Sequence, residues 1–96
     1  MNVKLIRMWS GEDVVADLIE EKEDSVVICN PIVAIPSGSG TMGFAPWSPI
    51  LKERGTELEI PRSYVVYITE TQDGIVDQYK QMFSVIQTPD TKKIIV

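Results

Sequence analysis

The densest run of ionisable side chains is Glu20-Glu21-Lys22-Glu23-Asp24, four carboxylates and a lysine in five residues. Two carboxylates share acid–base work when a cleft holds them about 5 to 10 Å apart. A consecutive run beside a turn is instead a solvated face whose charges repel. The chain has no histidine, which removes imidazole acid–base chemistry and histidine-containing metal sites. One cysteine, Cys29, cannot build a thiolate metal site or an intrachain disulfide, and its apolar setting in "SVVICN" predicts a buried small hydrophobe in a reducing compartment. Gly38 to Gly43, "GSGTMG", lacks the lysine and the following helix that make a glycine-rich loop hold phosphate. These residue types predict no enzyme, no cofactor and no metal.

The elements that must position these groups read mainly as strands. From Val3 to Trp9 apolar residues fall on both pleat faces, which predicts a strand covered on two sides. Gly11, with Ser10, Glu12 and Asp13, supplies a turn, and "VVADLIE" resumes the chain as the second arm of a hairpin. "SVVICNPIVAI" is rich in β-branched residues and predicts a third strand, with a bend or edge position at Asn30-Pro31 because Pro31 has no amide hydrogen. "PSGSG" reads as a loop. "TMGFAPWSPIL" reads as an irregular or edge strand confined by Pro46 and Pro49, and "KERGTE" as a polar turn. "LEIPRSYVVYITE" then reads as the last long strand, with Tyr64, Val66 and Ile68 on one face and Val65 and Tyr67 on the other.

The period changes at the end. Ile75, Val76, Tyr79, Met82 and Phe83 recur at helical spacing after Asp73, a candidate N-cap, and core packing is the expected use of that stripe. Residues 1–70 are expected to form the β domain, 71–87 a helix packed on it, and 88–96 a tail that is mobile unless Ile94, Ile95 and Val96 dock on a neighbour. At 96 residues and 44% hydrophobic content the chain suits one modest core. A net charge of -5 opposes sequence-blind binding to phosphate backbones or anionic lipid. No window offers the ~20 apolar residues that span a bilayer, so no membrane contact and a cytoplasmic location are expected.

"LIRMWSGEDVVADLIEEKEDSVVI" resembles the first motif of the Sm-like (LSm) family, and "IPRSYVVYI" more weakly resembles its second. The likeness covers roughly residues 3 to 70 and is nearest to divergent Sm-like proteins of phage-related and marine sequences, which for a phage-encoded chain means the host cell cytoplasm. It implies a small, strongly bent five-stranded Sm-like (SH3-like) barrel with a short C-terminal helix. It further implies edge-to-edge assembly into a homo-oligomeric ring of five to seven subunits, with edges from residues 41–60 and 63–70. Gly11 matches the hairpin glycine, and Ala16 stands where a glycine is usual.

The resemblance also implies a function: a single-stranded RNA-binding scaffold or chaperone. Its base-reading loop maps to Lys22–Ser25, where Asp24 and Ser25 offer polar reach and no asparagine stands. Its Arg-Gly pair maps to Pro61-Arg62 or to Arg62-Ser63, and one partner of the pair is lost either way. Reading a base needs a ring face, a cation and a hydrogen-bonding group on one rim; Arg62 is the cation, and Tyr64 is either the ring or a core residue. The other expectation is a ring-forming module that binds protein rather than RNA, with Trp47, stiffened by Pro46 and Pro49, as its contact or else as a core residue.

Overall fold

A 12-residue strand, β3 (Ser25–Pro36), organises the molecule because four other strands reach it directly or through one neighbour. The computed structural model describes residues 1–36 and 42–84. Before β3 come β1 (Val3–Met8) and β2 (Asp13–Glu21); after it come β4 (Met42–Pro46), β5 (Glu57–Pro61), β6 (Val65–Thr69) and one helix, α1 (Asp73–Ser84). Most of the loop read at "PSGSG" and the whole of residues 85–96 lie outside the described residues. All pairings are antiparallel, in the order β4-β3-β2-β1-β6, with β5 also on β3. The described residues are therefore mostly β, with one short helix after the last strand.

The opening hairpin forms as its sequence requires. β1 and β2 pair from Val3 opposite Asp17 to Arg7 opposite Asp13, and Gly11 takes a φ of +94° in the turn, where an L side chain is strained. Arg7 and Asp13 close the end through a two-pronged contact, Nε to Oδ1 at 2.5 Å and Nη2 to Oδ2 at 3.0 Å.

The bend expected at Asn30-Pro31 is a β-bulge. Val15 faces Ile32 and Asp17 faces Cys29, so two residues of β3 stand against one of β2. Asn30 adopts a φ of +50°, which its short polar side chain tolerates, and its Oδ1 accepts the Gly55 N–H at 3.0 Å. The bulge divides β3: Ser25–Cys29 carries β5, and Ile32–Pro36 carries β4.

Two expectations from sequence are corrected here. "LEIPRSYVVYITE" is not one strand: Pro61, without an amide hydrogen, ends β5, a 3-10 turn over Arg62–Tyr64 redirects the chain, and β6 pairs with β1 instead of β3. The sheet thus has six strands in place of five, and no ladder joins β5 to β6 among the described residues, so the sheet is open. The facing pattern of β6 also differs. Arg7 opposes Tyr67 while Met8 opposes Val65, which leaves Val66 as an extra, bulged residue. Val65 and Ile68 consequently both pack inward, and Val66 and Tyr67 are exposed.

Both faces of the hairpin are buried, each in its own core. Ile6, Met8, Val14, Ala16, Leu18, Val26, Ile28 and Ile60 fill the first, with Val33, Trp47, Leu58, Tyr64, Val65 and Ile68 packed around it. Val3, Val15 and Ile32 meet Tyr79 in the second, flanked by Ile75, Val76, Met82 and Phe83. The helical stripe is therefore core packing. Gln72 O accepts the N–H groups of Ile75 and Val76, both at 3.0 Å, so Asp73 sits inside the first turn, where its charge favours the positive end of the helix dipole.

Candidate nucleic-acid interface

The β2–β3 turn and the β5–β6 turn meet because both continue from the Ser25–Pro61 end of one ladder. This brings Asp24, Ser25, Arg62 and Ser63 together at one end of the sheet. Arg62 binds the opposite turn from three atoms. Its N–H donates to Asp24 O at 2.9 Å, its Nε to Lys22 O at 2.7 Å, and its Nη2 reaches Glu21 Oε1 at 3.3 Å. Lys22 N–H closes that turn on Ser25 O at 2.8 Å.

Beside it, Ser25 Oγ donates to Glu59 Oε2 at 2.6 Å, and Lys22 Nζ lies 3.4 Å from the same oxygen. The Ser25 hydrogen bond, then the Lys22 ammonium, hold the Glu59 carboxyl below its usual range. Among the described residues the rim carries Glu20, Glu21, Glu23, Asp24 and Glu59 against Lys22 and Arg62, and both cations face carboxylates. Such a rim is poorly suited to phosphate, whose charge the surrounding carboxylates repel. What it offers a ligand is hydrogen bonding, from the exposed Asp24 and Ser63 and from the outer part of the Arg62 guanidinium.

Tyr64 is a core residue: its ring packs on the first core, and its carbonyl accepts the Trp9 N–H at 2.7 Å. Trp47 is likewise packed on that core, with its backbone N–H on Pro31 O at 2.9 Å and its Nε1 on Glu12 Oε1 at 2.9 Å. An aromatic that sequence reasoning missed is Trp9, 75% exposed because β1 ends at Met8 and leaves Trp9 in the turn. Glu59 was missed as well, and Glu21 was read as part of a solvated charge run and not as a partner of Arg62; only the β3–β5 register places Glu59 beside Ser25, and no local motif signals that.

Cys29 is half-buried instead of fully enclosed, since the bulge breaks the alternation of β3. Its Sγ donates to Gly55 O at 3.3 Å, and burial, then the charges of Asp17 and Glu57, push its thiol pKa up, away from nucleophilic use near neutral pH. Among the described residues no group of three His, Cys, Asp or Glu side chains could hold a metal ion, and no helix is long and apolar enough to cross a membrane. The sequence matches no protein-family model and no curated protein.

Proposed function

We propose that this chain is an Sm-like, ring-forming scaffold protein. The observation that carries the reading is the pair of open strand edges among the described residues: β6 ends the sheet on one side, and β4 and β5 pair only with β3 on the other. Edge strands carry unpaired backbone donors and acceptors, and a second copy can complete them. The exposed Val66 and Tyr67 add apolar surface to the β6 edge. The 3-10 turn running straight from β5 into β6 supports a barrel-like closure through the chain itself, and β4 and β5 act as one fourth strand interrupted by residues 47–56. In this ring of five to seven subunits, β6 of one protomer pairs with the β4–β5 edge of the next.

Single-stranded RNA is the ligand favoured by one further observation, the convergence of Asp24, Ser25, Arg62 and Ser63 on one rim. Repeated around a ring, a weak site gains through effective concentration. The acidic character of the rim favours the other reading, a scaffold that binds protein. Sedimentation velocity at micromolar concentration, together with anisotropy of labelled oligo(U) and oligo(A) at low salt, tests both. A stable monomer overturns the ring; a ring that leaves both RNAs free overturns the nucleic-acid reading and leaves the protein scaffold.

A further inference from the structure

Residues 53–56, the turn that leads into β5, are joined to α1 by two separate routes. The first runs through β3. Gly55 adopts a φ of +83° and is held on both its backbone groups: its N–H donates to Asn30 Oδ1 at 3.0 Å, and its carbonyl accepts from Cys29 Sγ at 3.3 Å. Asn30 and Cys29 are also the residues whose carbonyls the Tyr79 hydroxyl meets, each at 2.9 Å. The second route runs through Arg54. Its guanidinium donates to Met82 O at 3.2 Å and lies 5.2 Å from the centre of the Phe83 ring. That ring stands 4.6 Å from the ring of Tyr79, so the two routes close into one circuit. Thr56 Oγ1, donating to Glu53 O at 2.8 Å, ties off the turn itself.

We propose that α1 is a clamp that sets the turn at residues 53–56, and with it the start of β5, through the β3 bulge. Asn30 sits at a φ of +50°, a conformation that costs free energy in a residue with a Cβ and persists where its surroundings fix it. The Tyr79 hydroxyl fixes it from α1 by engaging the two carbonyls of the bulge. Without that hydroxyl the bulge loses its hold on Asn30, and the Asn30 side chain loses its aim at the Gly55 N–H. A coupling free energy is reciprocal, so a cut at Asn30 loosens α1 as a cut at Tyr79 loosens Gly55. β5 belongs to an edge used in the ring proposed above, but this coupling lies within one chain and is measured apart from assembly.

Hydrogen exchange of single amides, followed by NMR on the full chain, tests this. The reference is the Trp9 N–H, bonded to Tyr64 O at 2.7 Å, which belongs to the hairpin turn and stands outside the circuit. Relative to it, Tyr79→Phe should speed exchange at Gly55 by about tenfold. Asn30→Gly keeps the left-handed backbone and removes only the side-chain acceptor; it should speed exchange of the Tyr79 and Phe83 amides in α1 by a similar factor. Equal acceleration of Gly55 and Trp9 in Tyr79→Phe overturns the proposal, because it reports lost global stability alone. Tyr79 and Phe83 amides that keep their wild-type exchange in Asn30→Gly overturn it as well.

Discussion

Tyr79 carries more polar satisfaction than any other side chain of the second core. Its hydroxyl accepts the Asp17 N–H at 3.0 Å and lies 2.9 Å from both Cys29 O and Asn30 O, the backbone groups that the β3 bulge releases from the ladder. The ring is fully buried. Tyr79→Phe leaves those groups unpaired away from water and should lower stability by about 1 to 3 kcal/mol, read from the denaturant midpoint at unchanged slope. Burial holds the phenol protonated well above its ordinary value near 10. Because the folded pKa is the higher one, its contribution to stability is complete below pH 10 and is lost as pH rises beyond it, when the unfolded chain ionises first. Tyr79→Phe should be free of that part of the alkaline loss; an identical alkaline slope in wild type and variant would contradict the assignment. At the rim, Ser25 is the largest cause of the depressed Glu59 carboxyl. Ser25→Ala should therefore raise the Glu59 pKa toward its usual range in an NMR titration, and a carboxyl that keeps its wild-type pKa would show that Lys22 alone sets it.

At the scale of elements, the hairpin turn depends on Gly11, the residue that takes its positive φ. Apart from its own chain neighbours, no heavy atom of the described residues lies within 4 Å of the position a Cβ would take there, so Gly11→Ala meets no clash and its cost is backbone strain at φ +94°. A loss of about 1 kcal/mol should appear as a lowered melting temperature. This turn, the two-sided burial of β1, the bend at Asn30-Pro31 and the helical stripe were all legible, because each rests on residues close together in sequence. The division of the last strand was not. Pro61 signals a boundary, yet whether the chain after it continues on β3 or crosses to β1 depends on partners some 35 to 60 residues earlier. The bulge at Val66 escaped for the same reason, as it exists only in the register of β6 against β1. The rim was half legible: resemblance grouped Asp24 and Ser25 with Arg62 and Ser63, but the carboxylates that occupy Arg62 and Lys22 come from pairing. Arg62 thus secures the β2–β3 turn whether or not a ligand arrives.

For the whole molecule, the exposed edge of β6 is where shape and charge oppose each other. Val66 is 54% exposed and Tyr67 43%, the latter under the Arg7 guanidinium at 5.8 Å. Burying this edge between copies removes apolar surface from water and pairs open backbone groups. Each copy of the chain also carries a net charge of -5, so like-charge repulsion opposes closure of the ring proposed above. Raising salt screens that repulsion, and the ring should therefore tighten between low and physiological ionic strength, whereas any RNA contact should weaken over the same range. Val66→Lys/Tyr67→Lys separates the two forces. It makes each protomer less negative, which by charge alone favours association, while placing two lysines where the edge must pair. Both positions are exposed, so the isolated fold should stay within about 1 kcal/mol of wild type by denaturant titration. Sedimentation velocity at micromolar concentration should then find the variant as monomer. A variant that still forms the ring would mean that β6 is not the assembling edge, and that Val66 and Tyr67 face a different partner.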